Sequence, residues 1–467
     1  MLIFRERIAP LCPGSDHIFS NKPALGIFAT LSVWSTVTVI WLCSVTVSYA
    51  GESASQAGNF SIKSDSTSSY QHAISVLDSQ IRHHKALSEK HSTSWVRLQR
   101  LAEAQMQRGK LSGDINDFVA AEETLHKAFE VAGPGAGPFL TRAALNFTLH
   151  RLPLIESDLA SAESALIVTP RSKETINSIR ADVDLYQGRY EQAKKLYTQA
   201  EKLNPSTSTA TRLANYHFQT GDYLQANQWL TQAEQRVVGN PEHLLAWIKL
   251  QFGIIDLSRG RLDEALAHYN ESLAIFHDYW LAQEHIAEIN AMQGRLMLAE
   301  QQYRQLVKDT HNPNFMIALA EVLSEYEDEE SQTEAVEWMS AANNEFQQQL
   351  NAIPEMVAGH AVQHFMQTAG ADVYLPLAQE NYTLRPAGDS ALLLIQALAL
   401  SDQLPQAMEL LESTLQTPFK TAELYATASV LYEANQQPTD AASYTRSANA
   451  MNPLAINDVS WFKERIN

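Results

Sequence analysis

The chain has very few of the residues that most small-site chemistry needs. Of its 467 residues only two are cysteines, Cys12 and Cys43. Both precede Gly51, so residues 51–467 have no disulfide, no cysteine-based zinc site, no covalently attached c-type haem and no thiol nucleophile. There is no glycine-rich phosphate loop, no Gly-x-Ser-x-Gly elbow and no cofactor fingerprint, so no cofactor is expected. Glycines number only 18 and alternating β-branched runs are few, which favours an all-α chain. Positive charge is also scarce: 34 Lys and Arg stand against 53 Asp and Glu, a net charge of −19. Residues 1–50 hold Arg5, Arg7 and Lys22 against Glu6 and Asp16, so the remainder carries 31 basic and 51 acidic residues, a net −20. A body this acidic repels nucleic-acid phosphates, and no nucleic-acid partner is expected.

Charge is missing altogether from residues 23–51. That run is apolar enough to enter a membrane, and the basic residues ahead of it favour an orientation with the N-terminus inside. The "SYA" before Gly51 puts Ser48 and Ala50 at the small-residue positions of a signal-peptidase site. Two readings of residues 1–50 stand: a cleaved secretory signal, which is preferred, and a retained membrane anchor, which the length of the run allows. Either places residues 51–467 outside the cytoplasm, in a bacterial periplasm. Cys43 follows "VIWL", which lacks the small residue of a lipidation site. Residues 51–69 are rich in Ser, Gly and Asn and read as a flexible linker. Residues 70–94 carry the stripe Tyr70, Ile74, Leu77 and Ile81 and read as an N-terminal capping helix.

What the chain does have is a period. "GRYEQAKKLYTQAEKLNP", residues 188–205, reads as a turn at Gly188, a helix striped by Tyr190, Ala193, Leu196, Tyr197 and Ala200, and a stop at Pro205. The frame recurs from Gly221, Gly260 and Gly294. An alanine follows each turn, at Ala193, Ala226, Ala265, Ala299, Ala335, Ala407 and Ala441. Prolines form a second ladder at Pro134, Pro170, Pro205, Pro241, Pro313, Pro354, Pro386, Pro418 and Pro453, with a rung missing near His277. Asp158 and Tyr374 occupy positions where the frame asks for alanine.

A period near 34 residues built of two helices resembles the tetratricopeptide repeat. The resemblance runs over residues 95–453 and rests on the Gly turn, the Tyr or Leu and Ala after it, and the terminal Pro. The family's Trp and Leu-Gly in the first helix are mostly replaced. The expected architecture is an all-α, right-handed superhelical solenoid of about ten helix pairs, closed by a capping segment over residues 454–467 that contains Trp461. The resemblance implies a non-catalytic scaffold whose first helices line a concave groove for a peptide or partner protein. On family positions the groove receives Asp182, Phe218, Trp247, Glu284, Glu288 and Glu321. Burial between helices is the competing reading for Trp247. Glu284 and Glu288 share a helix face and have no Lys or Arg four residues away. Their simpler reading is exposure to water; in the groove they would favour a partner carrying Lys or Arg.

Two further function classes belong beside the scaffold. An accessory or chaperone of envelope or cytochrome maturation fits the layout. A metal-dependent enzyme would use "HAVQH", where His360 and His364 share a helix face. Zinc peptidases with this spacing carry a Glu after the first His; here that position is Ala361, and no third ligand is near. The pair is therefore read as structural and no metal is expected. "EYEDEE", residues 325–330, reads as a solvated turn, because a calcium loop needs alternating oxygen ligands and a Gly.

Overall fold

The computed structural model describes residues 69–164, 168–239 and 241–466. The proposed signal or anchor and nearly all of the proposed linker lie outside the described residues. Among those described there is no strand, and no helix is long and apolar enough to cross a membrane. Helix α1 spans Ser69–Lys90. After it the helices run in antiparallel pairs: α2 (Trp95–Ser112) with α3 (Ile115–Val131), α4 (Phe139–Thr148) with α5 (Ile155–Glu163), α6 (Pro170–Tyr186) with α7 (Tyr190–Leu203), and α8 (Thr207–Gln219) with α9 (Tyr223–Gln235). The pattern continues through α10 (Glu242–Leu257) and α11 (Leu262–Ile275), α12 (Trp280–Met292) and α13 (Leu296–Thr310), and α14 (Pro313–Ser324) and α15 (Glu329–Ala352). It ends with α16 (Pro354–Thr368) and α17 (Ala371–Leu384), α18 (Asp389–Leu400) and α19 (Leu404–Leu415), and α20 (Ala422–Ala434) and α21 (Pro438–Met451). Two short helices, α22 (Ala455–Asp458) and α23 (Ser460–Ile466), finish the chain. The architecture is an all-α solenoid.

Local sequence explains the punctuation. Gly188 takes φ 75°, the left-handed conformation that closes α6 and admits α7. The ladder prolines open first helices as much as they end second ones: Pro170, Pro313 and Pro354 each sit in the first turn of a helix, where a missing N–H is harmless. At the missing rung near His277, Asp278 instead adopts φ 61°. The acid run holds a cap: Asp328 accepts the Ser331 N–H at 2.8 Å, and Glu329 and Glu330 fill the first turn of α15, where the helix dipole favours carboxylates.

The ladder alanines are all buried, from 0% exposure at Ala193, Ala226, Ala265, Ala299 and Ala407 to 7% at Ala335. Small side chains there let paired helices approach. Gly253 is the extreme case, since a Cβ on it would lie 2.3 Å from the Tyr269 ring. Where alanine is absent the partner is specific. Asp158 is buried and takes two hydrogen bonds from Arg142 Nε, at 3.0 and 3.1 Å, and Tyr374 donates its hydroxyl to Leu400 O at 3.1 Å.

The solenoid coils far enough for later repeats to meet earlier ones. Arg151 Nε bonds Glu355 Oε1 at 3.1 Å and His150 Nδ1 lies 3.3 Å from Glu355 O, contacts 204 and 205 residues apart in sequence. Further along the same seam Gly188 lies against Pro386 and Ala387, Gly221 against Lys420, and Gly260 against Asn452 and Pro453. Lys420 N donates to Gln219 O across it at 3.0 Å. The glycine ladder of one coil thus rests on the proline ladder of the next. At the C-terminal end α23 folds back on α18, burying Phe462 fully, and Arg465 donates to Met366 O.

Candidate partner-binding cavity and buried carboxylate cluster

The coil's inner surface is mostly filled by the chain itself. α14 buries every residue from Phe315 to Leu323, and α18 every residue from Ser390 to Ala399. A helix apolar around its whole circumference belongs inside a protein, not along an open groove.

Among the described residues there is a large cavity, of about 760 Å³. α1 forms one wall with Tyr70, Ile74 and Asp78. It is held there by Tyr70, whose backbone N–H donates to His277 O at 3.2 Å and whose ring meets Phe276 edge-on at 6.3 Å. Burial pushes the Tyr70 hydroxyl up to about 12. Arg108 on α2 ties the wall together, bonding Asp78 at 2.7 Å and Asp117 at 2.6 Å. The opposite wall comes from Trp280 and Glu284 on α12, Phe315 on α14, Phe346 on α15 and His360 on α16. Trp280 Nε1 donates to Leu111 O at 2.9 Å and so clamps the two walls at their base. His360 is held neutral at ordinary pH, its pKa lowered to about 4 by burial and by Arg385.

The sequence-predicted groove residues do not form an open surface. Asp182 is buried in a pair with Arg212, Nε to Oδ2 2.9 Å, and accepts the Tyr197 hydroxyl at 2.8 Å. Burial raises its pKa and Arg212 opposes the shift. Trp247 is 2% exposed and belongs to the main core. Phe218 is half-buried, against Tyr223 at 5.8 Å, and borders a small cavity at the seam. Glu284, Glu288 and Glu321 are also buried, at 7%, 0% and 7% exposure, so the expectation that they face water is corrected. Asp182 is covered by the neighbouring helices that carry Tyr197 and Arg212, and Phe218 by the closing seam.

The structure does bring the carboxylates together, with a histidine that the repeat pattern gives no reason to single out. His285 is fully buried, and its Nδ1 lies 3.1 Å from Glu288 Oε2 and 3.2 Å from Glu284 Oε2. Its ring stacks on Tyr269 at 4.8 Å and 12°. Burial raises Glu284 to about 7, with His285 opposing and Glu288 adding to the shift. Burial also lowers His285, against the pull of Glu284. The signal in the sequence is "EHIAE", residues 284–288.

His360 and His364 do not converge on one site. His360 faces the large cavity, whereas His364 is engaged with Asn343 Oδ1 at 2.6 Å and stacks on Phe346 at 5.3 Å. Among the described residues, the group that brings three possible ligand atoms together is Glu284, His285 and Glu288.

Comparison with known proteins agrees with the repeat frame. Residues 205–277 and 250–314 match models of the tetratricopeptide repeat. No curated protein matches the chain. A tetratricopeptide repeat protein from Parabacteroides merdae is similar over 56% of this chain and all of its own, at 16% identity and a TM-score of 0.33. Human IFIT1, solved as a dimer with m7Gppp-AAAA, is similar over 76% of this chain and 89% of its own, at 12% identity and a TM-score of 0.36. Nothing is carried over from likenesses this distant. The family matches fall on α8 to α13, inside a longer series of helix pairs, and residues 205–314 are tetratricopeptide repeats.

Proposed function

We propose that this protein is a non-catalytic interaction scaffold of the cell envelope, and that it receives a short segment of a partner protein in the cavity beneath α1. The observation that carries the reading is the cavity itself. Its volume of about 760 Å³ is within the range of sites that enclose a ligand. Trp280, Phe315, Phe346 and Ile74 supply apolar walls, while Glu345 and the exposed Asp309 stand among its lining residues. That combination suits a segment with a large apolar anchor next to a Lys or Arg. Repeat solenoids bind partners on extended inner surfaces; in this one the chamber beneath α1 is the space proposed for that role. The envelope location rests on the uncharged run at residues 23–51 and the basic residues ahead of it.

A photo-crosslinking residue at Ile74, in full-length protein in intact cells, tests the binding site. The expected result is a discrete protein adduct from position 74, absent when the same probe replaces the outward-facing Lys195, and lost with Trp280→Ala. Equal adducts from both positions, or none from position 74, would overturn the assignment. Protease accessibility in spheroplasts tests the location: resistance of the repeats to protease added outside the inner membrane contradicts it.

A further inference from the structure

We propose that Glu284, His285 and Glu288 on α12 form a binding site for one divalent transition-metal cation of the zinc or manganese class. Spacing comes first. Residues three and four apart on a helix share a face, so Glu288 stands beside both His285 and Glu284, and the structure brings one ligand atom of each together. Distance comes second. Ligand atoms about 2.1 Å from a metal lie about 3.0 Å from each other at a right angle and about 3.4 Å at a tetrahedral angle. The two His285 Nδ1 to carboxylate distances, 3.1 and 3.2 Å, fall in that interval, and all three ligand atoms lie within 4.8 Å of one another.

Burial is the third observation. All three side chains are buried, His285 and Glu288 completely, and the His285 ring stacks on Tyr269. Buried charges are paired or coordinate metals. The charges acting on Glu284 are those of His285 and Glu288. A dication balances two carboxylates. The surroundings supply independent support. Glu321 on α14 acts on the same neighbour, since Glu284, Glu288 and Glu321 all add to the upward shift that burial imposes on the Tyr303 hydroxyl. Tyr269 Oη, also fully buried and against the imidazole, has no hydrogen-bond partner, and a metal-bound water would give it one. Access is available as well, because Glu284 and Tyr303 both line the large cavity. The donor set, one nitrogen and two carboxylate oxygens, suits zinc or manganese better than magnesium, which keeps most of its waters.

The test uses untagged chain purified after export, stripped with a chelator and dialysed against Zn²⁺ or Mn²⁺. About one equivalent should be retained by elemental analysis, and the metal should raise the melting temperature above that of the stripped protein. The double variant Glu284→Gln with Glu288→Gln should lose the bound metal and the thermal shift. His360→Ala with His364→Ala should keep both. No uptake by the stripped parent, or equal uptake by the Gln variant, overturns the site and leaves a shared proton as the balance among these groups. If the Gln variant fails to fold, Co²⁺ added to the stripped parent decides: a visible d–d spectrum that Zn²⁺ displaces supports the site, and its absence overturns it. A negative result leaves the partner cavity untouched, because that reading rests on Trp280, Phe315 and Phe346.

Discussion

Helices α7 and α18 take opposite places in their repeats and meet different surroundings. α7, a second helix, buries Tyr190, Ala193, Leu196, Tyr197 and Ala200 and leaves most of the rest to solvent. α18, a first helix, is buried at every position from Ser390 to Ala399. In an open solenoid the first helix would also keep a wet side, the one that faces the groove. Its loss here shows that the inner surface has become core. The outer helices still follow single-repeat rules, while the inner ones answer to contacts that only the whole coil provides.

The sharpest way to break that comparison is to hollow the inner layer. Ile395→Ala, at a fully buried position, should destabilise by about 2–5 kcal/mol, whereas Lys195→Ala on the outer side of α7 should stay within about 0.5 kcal/mol in denaturant unfolding. Similar values for the two would mean that the inner layer is wet. A smaller effect is expected between the layers. Ala193→Leu and Ala299→Leu, each at 0% exposure, should cost about 1–3 kcal/mol by overpacking, and unchanged thermal melts would show the alanines to be off the helix contact.

The smallest effect concerns pH at the seam. Glu423, half-buried there, is raised to about 8 by burial, then by Asp389, while Gln396 opposes; Asp389 is raised to about 7 by burial, against Arg385. An unfolded carboxylate ionises near 4, so between about pH 4 and 8 the unfolded chain has released protons that the folded chain keeps. These groups therefore favour folding at low pH, and their contribution is lost as pH rises through the folded pKa. His360, lowered to about 4, works in the opposite direction below about 6.5. The readout is accordingly a difference between two proteins: the fall in melting temperature from pH 5 to pH 8.5 should be shallower in Glu423→Gln than in the parent. Equal slopes would remove Glu423 as the source.

Much of the repeat frame is legible in the sequence. Ala193 through Ala441 mark the close helix contacts, and Gly188, Gly221 and Gly260 mark the turns, because each repeat solves the same local packing problem with the same small residues. Closure of the coil is not legible, since residues about 200 apart leave no periodic trace in a chain. A weaker sign is there, in "NFMIALAEVL" and "ALLLIQALAL": both lack the polar stripe that a groove-lining helix needs. The carboxylate trio reads as groove-lining by repeat position and lies in the core. His285 escapes notice because His360 and His364, four apart, match a better-known spacing. Asp182 gives no hint of Arg212, its partner from the neighbouring repeat.

The seam has a mechanical meaning. A repeat array whose members touch only their neighbours behaves as a spring: it stretches gradually and can fray from either end, one unit at a time. Here the turn at Gly260 is braced by Asn452 and Pro453, and the turn at Gly221 by Lys420. Extension must first separate those braces, so the chain under tension should hold its length and then yield abruptly. Trimming the last helix pair would loosen α10 and α11, far upstream, as much as the pair next to the cut. The molecule is a spring wound until its coils touch, stiff in the direction in which an array of neighbour-only contacts is compliant.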